Sequence, residues 1–219
     1  MFRALIPRLM SFRTPYPIER CEGLFGPLEV CWERGRKVIN SAHANQSYGA
    51  LHGVLRAALR PALREIGAPH SVLLLGMGGG SAVRIISREH GMPNRFLAVE
   101  LDPAMIDLAA RHFGMHNDDQ LQVMQGDAII LVHTIRERFD LVVVDLFADS
   151  EPAQGGATSG FIHALRDRLA EGGRICFNTM AYNARTKEHA ERVHRLLRRT
   201  FLHVRVIEAE GVNKVFVAH

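Results

Sequence analysis

The sequence predicts an α/β fold: a Rossmann-like, doubly wound, mostly parallel sheet that ends in an antiparallel hairpin, with a short N-terminal β-hairpin region before it. From Ser71 onward, short runs rich in Val, Ile and Leu alternate with helical patterns, which is typical of a parallel sheet covered on both faces. The last two apolar runs, 203–207 and 212–217, flank Gly211 at hairpin distance. A glycine-rich loop follows the first strand of the series.

Composition restricts the class of protein. The chain has 219 residues, of which 47% are hydrophobic and 23% are charged, so it suits one domain plus an appendage and excludes disorder as the dominant state. A net charge of +4 permits an anionic partner without requiring one. The cysteines lack CxxC spacing, which favours free thiols and a cytoplasmic location. The sequence predicts neither a metal site nor a membrane span.

We divide the chain into three parts. Residues 1–17 carry three arginines and no acid, and we expect a loose basic leader, with a transit peptide as the alternative. Residues 18–47 form the β-hairpin region, because apolar residues alternate over 28–32 and Gly35 supplies a turn. An exposed hairpin offers a strand-pairing edge, so we expect a homodimer. The Rossmann-like domain spans residues 48–219.

The elements of this domain follow in order. A helix covers 48–66, and Pro61 should break or restart it. Strands are expected at 72–75, 96–99, 121–124, 141–144 and 174–177. The intervening helices are expected at 82–90, 104–113, 128–135, 159–169 and 186–200.

The glycine loop that follows strand 72–75 is the sharpest functional signal. Glycine stands at Gly76, Gly78, Gly79 and Gly80, and such residues let the backbone turn sharply, approach a ligand and leave a helix N-terminus open. The alternative is a plain tight turn between strand and helix, but four glycines within five residues exceed what such a turn needs.

Acidic residues stand at the ends of the next three strands. Glu100 lies twenty residues past Gly80, a position from which a carboxylate accepts hydrogen bonds from ribose hydroxyls. Asp127 can accept from an adenine amino group, or it caps a helix. Asp145 ends the fourth strand. Because parallel strands end at one edge of the sheet, these carboxylates should share a crevice.

Several motifs together resemble one family. They are the glycine loop, Glu100 with Asp102-Pro103, Gly126-Asp127-Ala128, Asp145 after its apolar strand, the segment 169–178, and Gln46-Ser47-Tyr48. Over residues 24–217 the chain resembles the spermidine synthase-like branch of the class I S-adenosylmethionine-dependent methyltransferase fold.

The resemblance implies a site for S-adenosylmethionine or its decarboxylated form and no metal. The implied cofactor-binding residues are Gln46, Gly76, Gly78, Gly80, Glu100, Asp127 and Ala128. Asp145 is the candidate general base for an amine acceptor, and Tyr48 would orient the attacking nitrogen unless it is a buried aromatic residue at the sheet edge. Asp149 and Glu151 are the candidates for holding a cationic substrate tail.

Two departures from the family pattern concern the reaction. In aminopropyltransferases the glycine loop carries an acid that holds the substrate amine, whereas Gly79 stands at this position here. The loop from Asp145 to Asp149 is one residue longer than the family pattern. We therefore expect spermidine synthesis itself to be weak or absent, and binding of a sulfonium nucleoside to be retained.

The favoured function is a transferase that acts on a small cationic acceptor. A methyltransferase acting on nucleic acid or protein is an alternative, suggested by the basic helix 185–199; Glu188 and Glu191 interrupt this basic run, which favours a solvated face rather than a nucleic acid surface. A non-catalytic nucleoside-binding homologue is a third class. An NAD oxidoreductase would share the glycine loop but not the Gly-Asp-Ala motif or the closing hairpin.

Overall fold

The computed structural model describes residues 5–42, 50–67, 69–89, 95–209 and 211–219. The strands are β1 (Tyr16–Gly23), β2 (Gly26–Glu33), β3 (Arg36–Asn40), β4 (Ser71–Leu75), β5 (Arg95–Glu100), β6 (Leu121–Gln125), β7 (Phe139–Val144), β8 (Phe147–Ala148), β9 (Glu151–Pro152), β10 (Leu169–Met180), β11 (Val204–Ala209) and β12 (Asn213–Ala218). The helices are α1 (Leu5–Met10), α2 (Ala50–Ile66), α3 (Ser81–Arg84, continued by a π-helical turn over Ile85–Glu89), α4 (Pro103–Phe113), α5 (Ala128–Leu131), α6 (Ser159–Asp167) and α7 (Ala184–Thr200).

The main sheet has the strand order β11-β12-β10-β7-β4-β5-β6. Strands β4, β5, β6, β7 and β10 pair in parallel, while β12 is antiparallel to both β10 and β11. This confirms the predicted fold class, including the closing antiparallel pair. The chain proceeds from β4 to β5 and β6 on one side and returns to β7 on the other, so the strand order reverses between β4 and β7.

Both faces of the sheet are covered, which explains why its strands are apolar without alternation. In β4, Val72 and Leu74 belong to the hydrophobic cluster that includes α2 and α4. Leu73 and Leu75 belong to the opposite cluster, which includes α6 and α7. All four side chains are almost fully buried, so the ends of this strand are held rigidly from both sides.

Among the helices, α2 and α5 depart from expectation. Helix α2 continues through Pro61 without a break, because Leu59, Ala62 and Leu63 are buried against the core and their packing outweighs the lost backbone hydrogen bond. The expected break was therefore wrong. Helix α5 ends at Leu131, four residues before the predicted end. No helix in the described part of the chain is long and apolar enough to cross a membrane.

The N-terminal region is a three-stranded antiparallel sheet, β1-β2-β3, and its β2–β3 pair is the hairpin that the sequence predicted. Within the described part of residues 1–17, α1 and the following turn pack on this hairpin, whereas the sequence predicted a loose leader. The hydroxyl of Ser11 accepts a hydrogen bond from Gly35 N at 2.9 Å, and Arg8 Nε donates to Gly35 O at 3.0 Å. The β2–β3 turn thus has its backbone groups satisfied by the leader.

Candidate active site

A cavity of about 400 Å³ opens where β4, β5, β6 and β7 end. It lies at the reversal of strand order between β4 and β7, the place where open α/β sheets bind ligands. The sequence-predicted site residues that line it are Gly76, Gly78, Glu100, Asp127, Ala128, Asp145, Asp149 and Glu151.

The other three predicted site residues are Gly80, Gln46 and Tyr48. Gly80 is the N-cap of α3 with a φ of 79°, and a Cβ there would collide with the side chain of Met115. Its role in the structure is to let the helix begin close to that methionine. Gln46 and Tyr48 lie outside the described residues, so their proposed roles stay predictions.

The glycine loop is held tightly at its first residue. Gly76 has a φ of 88°, and its backbone N donates to Val99 O of β5 at 2.9 Å. A Cβ at this position would collide with the backbone carbonyl of Asp145, the residue after β7. Glycine is required here because the loop leaves β4 between the ends of β5 and β7, the strands on either side of it.

Glu100 anchors the glycine loop from the end of β5. Its Oε2 accepts hydrogen bonds from Met77 N at 3.1 Å and Gly78 N at 2.9 Å. Its Oε1 accepts from Leu101 N at 2.9 Å and Asp102 N at 3.1 Å. Burial raises the pKa of Glu100, although the backbone donors act in the opposite direction. A ribose hydroxyl would therefore share these oxygens with the loop amides. The anchoring of the loop by Glu100 was not predicted from the sequence.

Asp127 is both a helix cap and a cavity residue. Its Oδ1 accepts from Ile129 N at 2.8 Å at the start of α5, which is the alternative that the sequence left open. Both Asp127 and Ala128 line the cavity. A carboxylate has two oxygens and can accept several hydrogen bonds, so the cap is compatible with the predicted nucleobase contact.

Asp145 is a carboxyl group whose pKa is raised toward neutral pH. Its Oδ1 accepts a hydrogen bond from Asn178 Nδ2 at 2.8 Å. Burial raises the pKa of Asp145 to about 6, with a contribution from the negative charge of Glu100, while the Asn178 hydrogen bond lowers it. A carboxyl with this pKa gains or loses a proton close to neutral pH, which general acid–base chemistry requires.

Asp149 and Glu151 belong to a small hairpin formed by β8 and β9. Asp149 occupies its turn with a φ of 57° and accepts a hydrogen bond from the hydroxyl of Ser41. Glu151 forms an ion pair with Arg185 at 3.1 Å and accepts from the hydroxyl of Tyr182 at 3.1 Å. The charge of Glu151 is thus balanced within the chain, which weakens it as a partner for a cationic substrate.

Asp102 belongs to the Asp102-Pro103 motif but had no predicted role. It is 5% exposed, caps α4 through Ala104 N at 2.9 Å and accepts from Leu24 N at 2.9 Å. The second bond ties the β1–β2 turn to the main domain and places Phe25 on the cavity wall. In the sequence, the one sign that Asp102 caps a helix is the proline that follows it, because proline is common at the first position of a helix.

The cavity has an acidic character. Among the described lining residues the acids are Glu100, Asp102, Asp127, Asp145, Asp149 and Glu151, and the base is Arg185. A cavity with this excess of carboxylates attracts cations. It can accommodate a positively charged ligand beside a carboxyl that titrates near neutral pH.

Comparisons with known proteins agree with this geometry. The family model described as spermine/spermidine synthase domain matches residues 60–209. Polyamine aminopropyltransferase 2 of Hyperthermus butylicus is 25% identical over 191 residues, which cover 83% of this chain and 60% of that protein. A probable spermidine synthase from Corynebacterium glutamicum superposes with a TM-score of 0.78 at 17% identity, covering 91% of this chain and 79% of that one. Human methyltransferase-like protein 13 in complex with SAH gives a TM-score of 0.65 at 23% identity, with 78% and 82% of the two chains covered.

These matches carry different weight. The chain spans between 41% and 60% of the length of the first curated relatives that it matches. The structural likenesses, all below 25% identity, show the fold alone. The family match extends over more than half of the chain, and this chain therefore belongs to the spermine/spermidine synthase family.

Proposed function

We propose that the protein is a transferase that binds S-adenosylmethionine or its decarboxylated form and transfers an alkyl group to a small, cationic, amine-bearing acceptor. The observation that carries this proposal is Asp145, a carboxyl with a pKa of about 6 in an acidic cavity beside the glycine loop. Family membership supports the same reaction class.

The residues around the cavity fit such a cofactor. Gly76 and Gly78 line the cavity without a side chain, so a ligand can approach the loop backbone at the cavity wall. Glu100 would accept from the ribose and Asp127 from the base, and Gln46 is a further predicted contact. When bound, the cofactor supplies a carbon attached to a sulfonium, which an amine can attack in line. The acidic lining offsets that positive charge.

Asp145 would prepare the acceptor. A free amine with a pKa of about 10 is protonated at neutral pH, and it must lose a proton before its nitrogen can attack. With a pKa of about 6, Asp145 is mainly ionised at pH 7, so its carboxylate attracts the ammonium group and accepts the proton. Asp149 would hold a second cationic group, and Tyr48 would orient the nitrogen.

We further propose that putrescine with the decarboxylated donor is a poor substrate pair. Gly79 replaces the acid that aminopropyltransferases carry in the glycine loop, and without that acid nothing at this position repels a carboxylated donor. In an assay that compares both donors with a panel of amines, the putrescine reaction should run far below about 10 per second, the median for enzymes. Turnover near that value would contradict this part of the proposal.

Asp145→Asn tests the central role. This change keeps the size of the side chain and removes the base, so transfer should slow by about 10²–10⁴-fold. The affinity for S-adenosylhomocysteine, measured by isothermal titration, should stay unchanged. Asp140→Asn is the matched control, because Asp140 lies at the opposite edge of the sheet, where it accepts from His70 N and Ser71 N.

Three results would change the assignment. Full activity of Asp145→Asn on the best acceptor would exclude Asp145 as the base. Loss of S-adenosylhomocysteine binding in the same variant would make Asp145 a cofactor ligand instead. Binding without transfer in the wild-type chain, across all donors and amines, would favour the non-catalytic homologue.

A homodimer is the assembly that we propose. Strand β1 is an edge of the N-terminal sheet, and exposed apolar side chains lie beside it at Ile6, Leu9, Met10 and Ile18. Unpaired edges and apolar patches favour association with another chain. Light scattering should give twice the chain mass, and Ile18→Lys should return the monomer.

A further inference from the structure

Two buried asparagines lie in a row behind Asp145. Asn178 follows Phe177 in β10, and Phe177 pairs with Val144, the last residue of β7. Asn213 begins β12 and pairs with Met180 across the antiparallel ladder. The exposed fractions of Asn178 and Asn213 are 2% and 8%, so both amides need partners inside the protein.

The hydrogen bonds of these amides run in one direction. Asn213 Nδ2 donates to Asn178 Oδ1 at 3.1 Å, and Asn178 Nδ2 donates to Asp145 Oδ1 at 2.8 Å. A side-chain amide has donors at one end and an acceptor at the other. Because Asn213 occupies the oxygen of Asn178, the donor end of Asn178 is the one presented to Asp145.

The direction of these bonds has an electrostatic consequence. Two aligned N–H donors that point toward a carboxylate stabilise its charged form and strengthen each other in a low-dielectric interior. The other described charged groups around the cavity are Glu100, Asp102, Asp127, Asp149, Glu151 and Arg185. Most of them are acidic, and Glu100 in particular opposes ionisation of Asp145. Within the described residues, Asn178 supplies the side-chain donor to Asp145.

We propose that Asn178 and Asn213 form a positioning relay that holds the Asp145 carboxylate in one orientation and favours its ionised form. The catalytic meaning of this relay rests on the proposed function of Asp145 as the base. Neither asparagine is proposed to touch the substrate: Asn178 acts through Asp145, and Asn213 acts through Asn178. A residue outside the reaction centre would thereby set the pH range in which the amine can be deprotonated.

The test is a titration of Asp145 itself in the whole 219-residue chain. Carbon-13 labelling of aspartate carboxyls reports each pKa by NMR, and the resonance absent from Asp145→Asn assigns Asp145. In Asn213→Val, Asn178 loses the donor that orients it, and the pKa of Asp145 should rise by about 0.5–1 unit, the equivalent of one net hydrogen bond. Asn178→Ala removes the direct donor and should raise it by about 1–2 units.

Thr179→Val is the matched control. The hydroxyl of Thr179 donates to Lys214 O at 2.7 Å across the same pair of strands, so this variant loses a buried hydrogen bond without altering the relay. Its Asp145 pKa should equal that of the wild type. In active protein, the acid limb of the rate profile should move with the NMR value in Asn213→Val and stay in place in Thr179→Val.

The titration needs no substrate, so it separates the relay from the proposed function. An unchanged pKa of Asp145 in folded Asn213→Val would overturn the relay even if the enzyme is active. A raised pKa in a chain without transferase activity would support the relay and contradict the function. If Asn213→Val does not fold, Asn213→Ala removes the same donor with less bulk, and the same pKa shift decides.

Discussion

The backbone carbonyl of Asp145 lies so close to the Cα of Gly76 that no side chain fits at position 76. Beside this contact, a backbone hydrogen bond also joins the ends of β4 and β7: Asp145 N donates to Leu75 O at 2.8 Å. The start of the glycine loop and the proposed base are therefore fixed relative to each other by backbone atoms alone. In the proposed function, this contact would set the distance between the cofactor and the base before any ligand is bound.

Gly76→Ala should cost more stability than the same change at a glycine without close neighbours. Gly114 also has a positive φ, 72°, but its ideal Cβ has open space around it. We expect Gly114→Ala to lose about 1 kcal/mol from the backbone term, and Gly76→Ala to lose about 1–3 kcal/mol more from the collision. Urea unfolding measures both, and equal losses would show that the contact with Asp145 is easily relieved.

Glu100→Gln should weaken cofactor binding. The side chain of Gln has one acceptor oxygen, so it loses either the two bonds from the loop amides of Met77 and Gly78 or the two bonds from Leu101 N and Asp102 N. Hydrogen bonds to a charged group are worth about 1.5–3 kcal/mol, and titration with S-adenosylmethionine should register a loss of this size. Asp140→Asn, which disturbs the other end of β4, should leave the affinity unchanged. Unaltered affinity in Glu100→Gln would exclude Glu100 from the binding site.

Asp145→Asn should make the protein more stable at neutral pH. Burial raises the pKa of Asp145 from 3.8 to about 6, so the folded state binds a proton more tightly than the unfolded state. The contribution of Asp145 to the free energy of unfolding therefore falls as the pH rises from about 4 to about 6. At pH 7.5 the variant should gain about 2–3 kcal/mol over the wild type.

The stability gain of Asp145→Asn should depend on pH, which provides its control. At pH 4 and below, Asp145 is protonated in the folded protein, and the gain should disappear. Urea unfolding at the two pH values tests both statements. A variant that is no more stable than the wild type at pH 7.5 would mean that Asp145 is ionised without penalty.

Glu19→Gln should loosen the N-terminal sheet from the main domain. Glu19 of β1 accepts from Arg111 at 2.6 Å and from His112 at 2.7 Å, both on α4, and these partners hold the pKa of Glu19 at about 2. A lowered carboxyl pKa stabilises the contact above pH 4.5, and this stabilisation is lost as the pH falls toward 2. Hydrogen exchange of β1 should accelerate by about two- to fivefold in the variant at pH 7.

Glu29→Gln is the comparison for this change. Glu29 pairs with Arg20 at 2.6 Å, but both residues belong to the N-terminal sheet, so their ion pair does not reach α4. Exchange along β1 should be affected only near Arg20. If both variants accelerate exchange equally, the contact between Glu19 and α4 does not hold the sheet in place.

Much of the fold and the edge of the site could be predicted from local patterns. Strands buried on both faces have to be continuously apolar, and so β4 and β7 appear in the sequence as Val- and Leu-rich runs. A loop with several glycines after such a strand marks the ligand edge. Asp145 and Glu100 were found because parallel strands place their carboxyl ends side by side.

The sequence by itself determined the alternation of the main strands and helices from β4 to β12, the position of the glycine loop and the acids that end the strands, since each of these depends on residues close together in the chain. Only the tertiary structure decided the state of those acids. Glu100 is bound by amides of a loop more than twenty residues away, and Asp145 meets Asn178 across thirty-three residues. Burial and hydrogen-bond partners of a side chain depend on which distant segments the topology brings against it, and no local pattern encodes them.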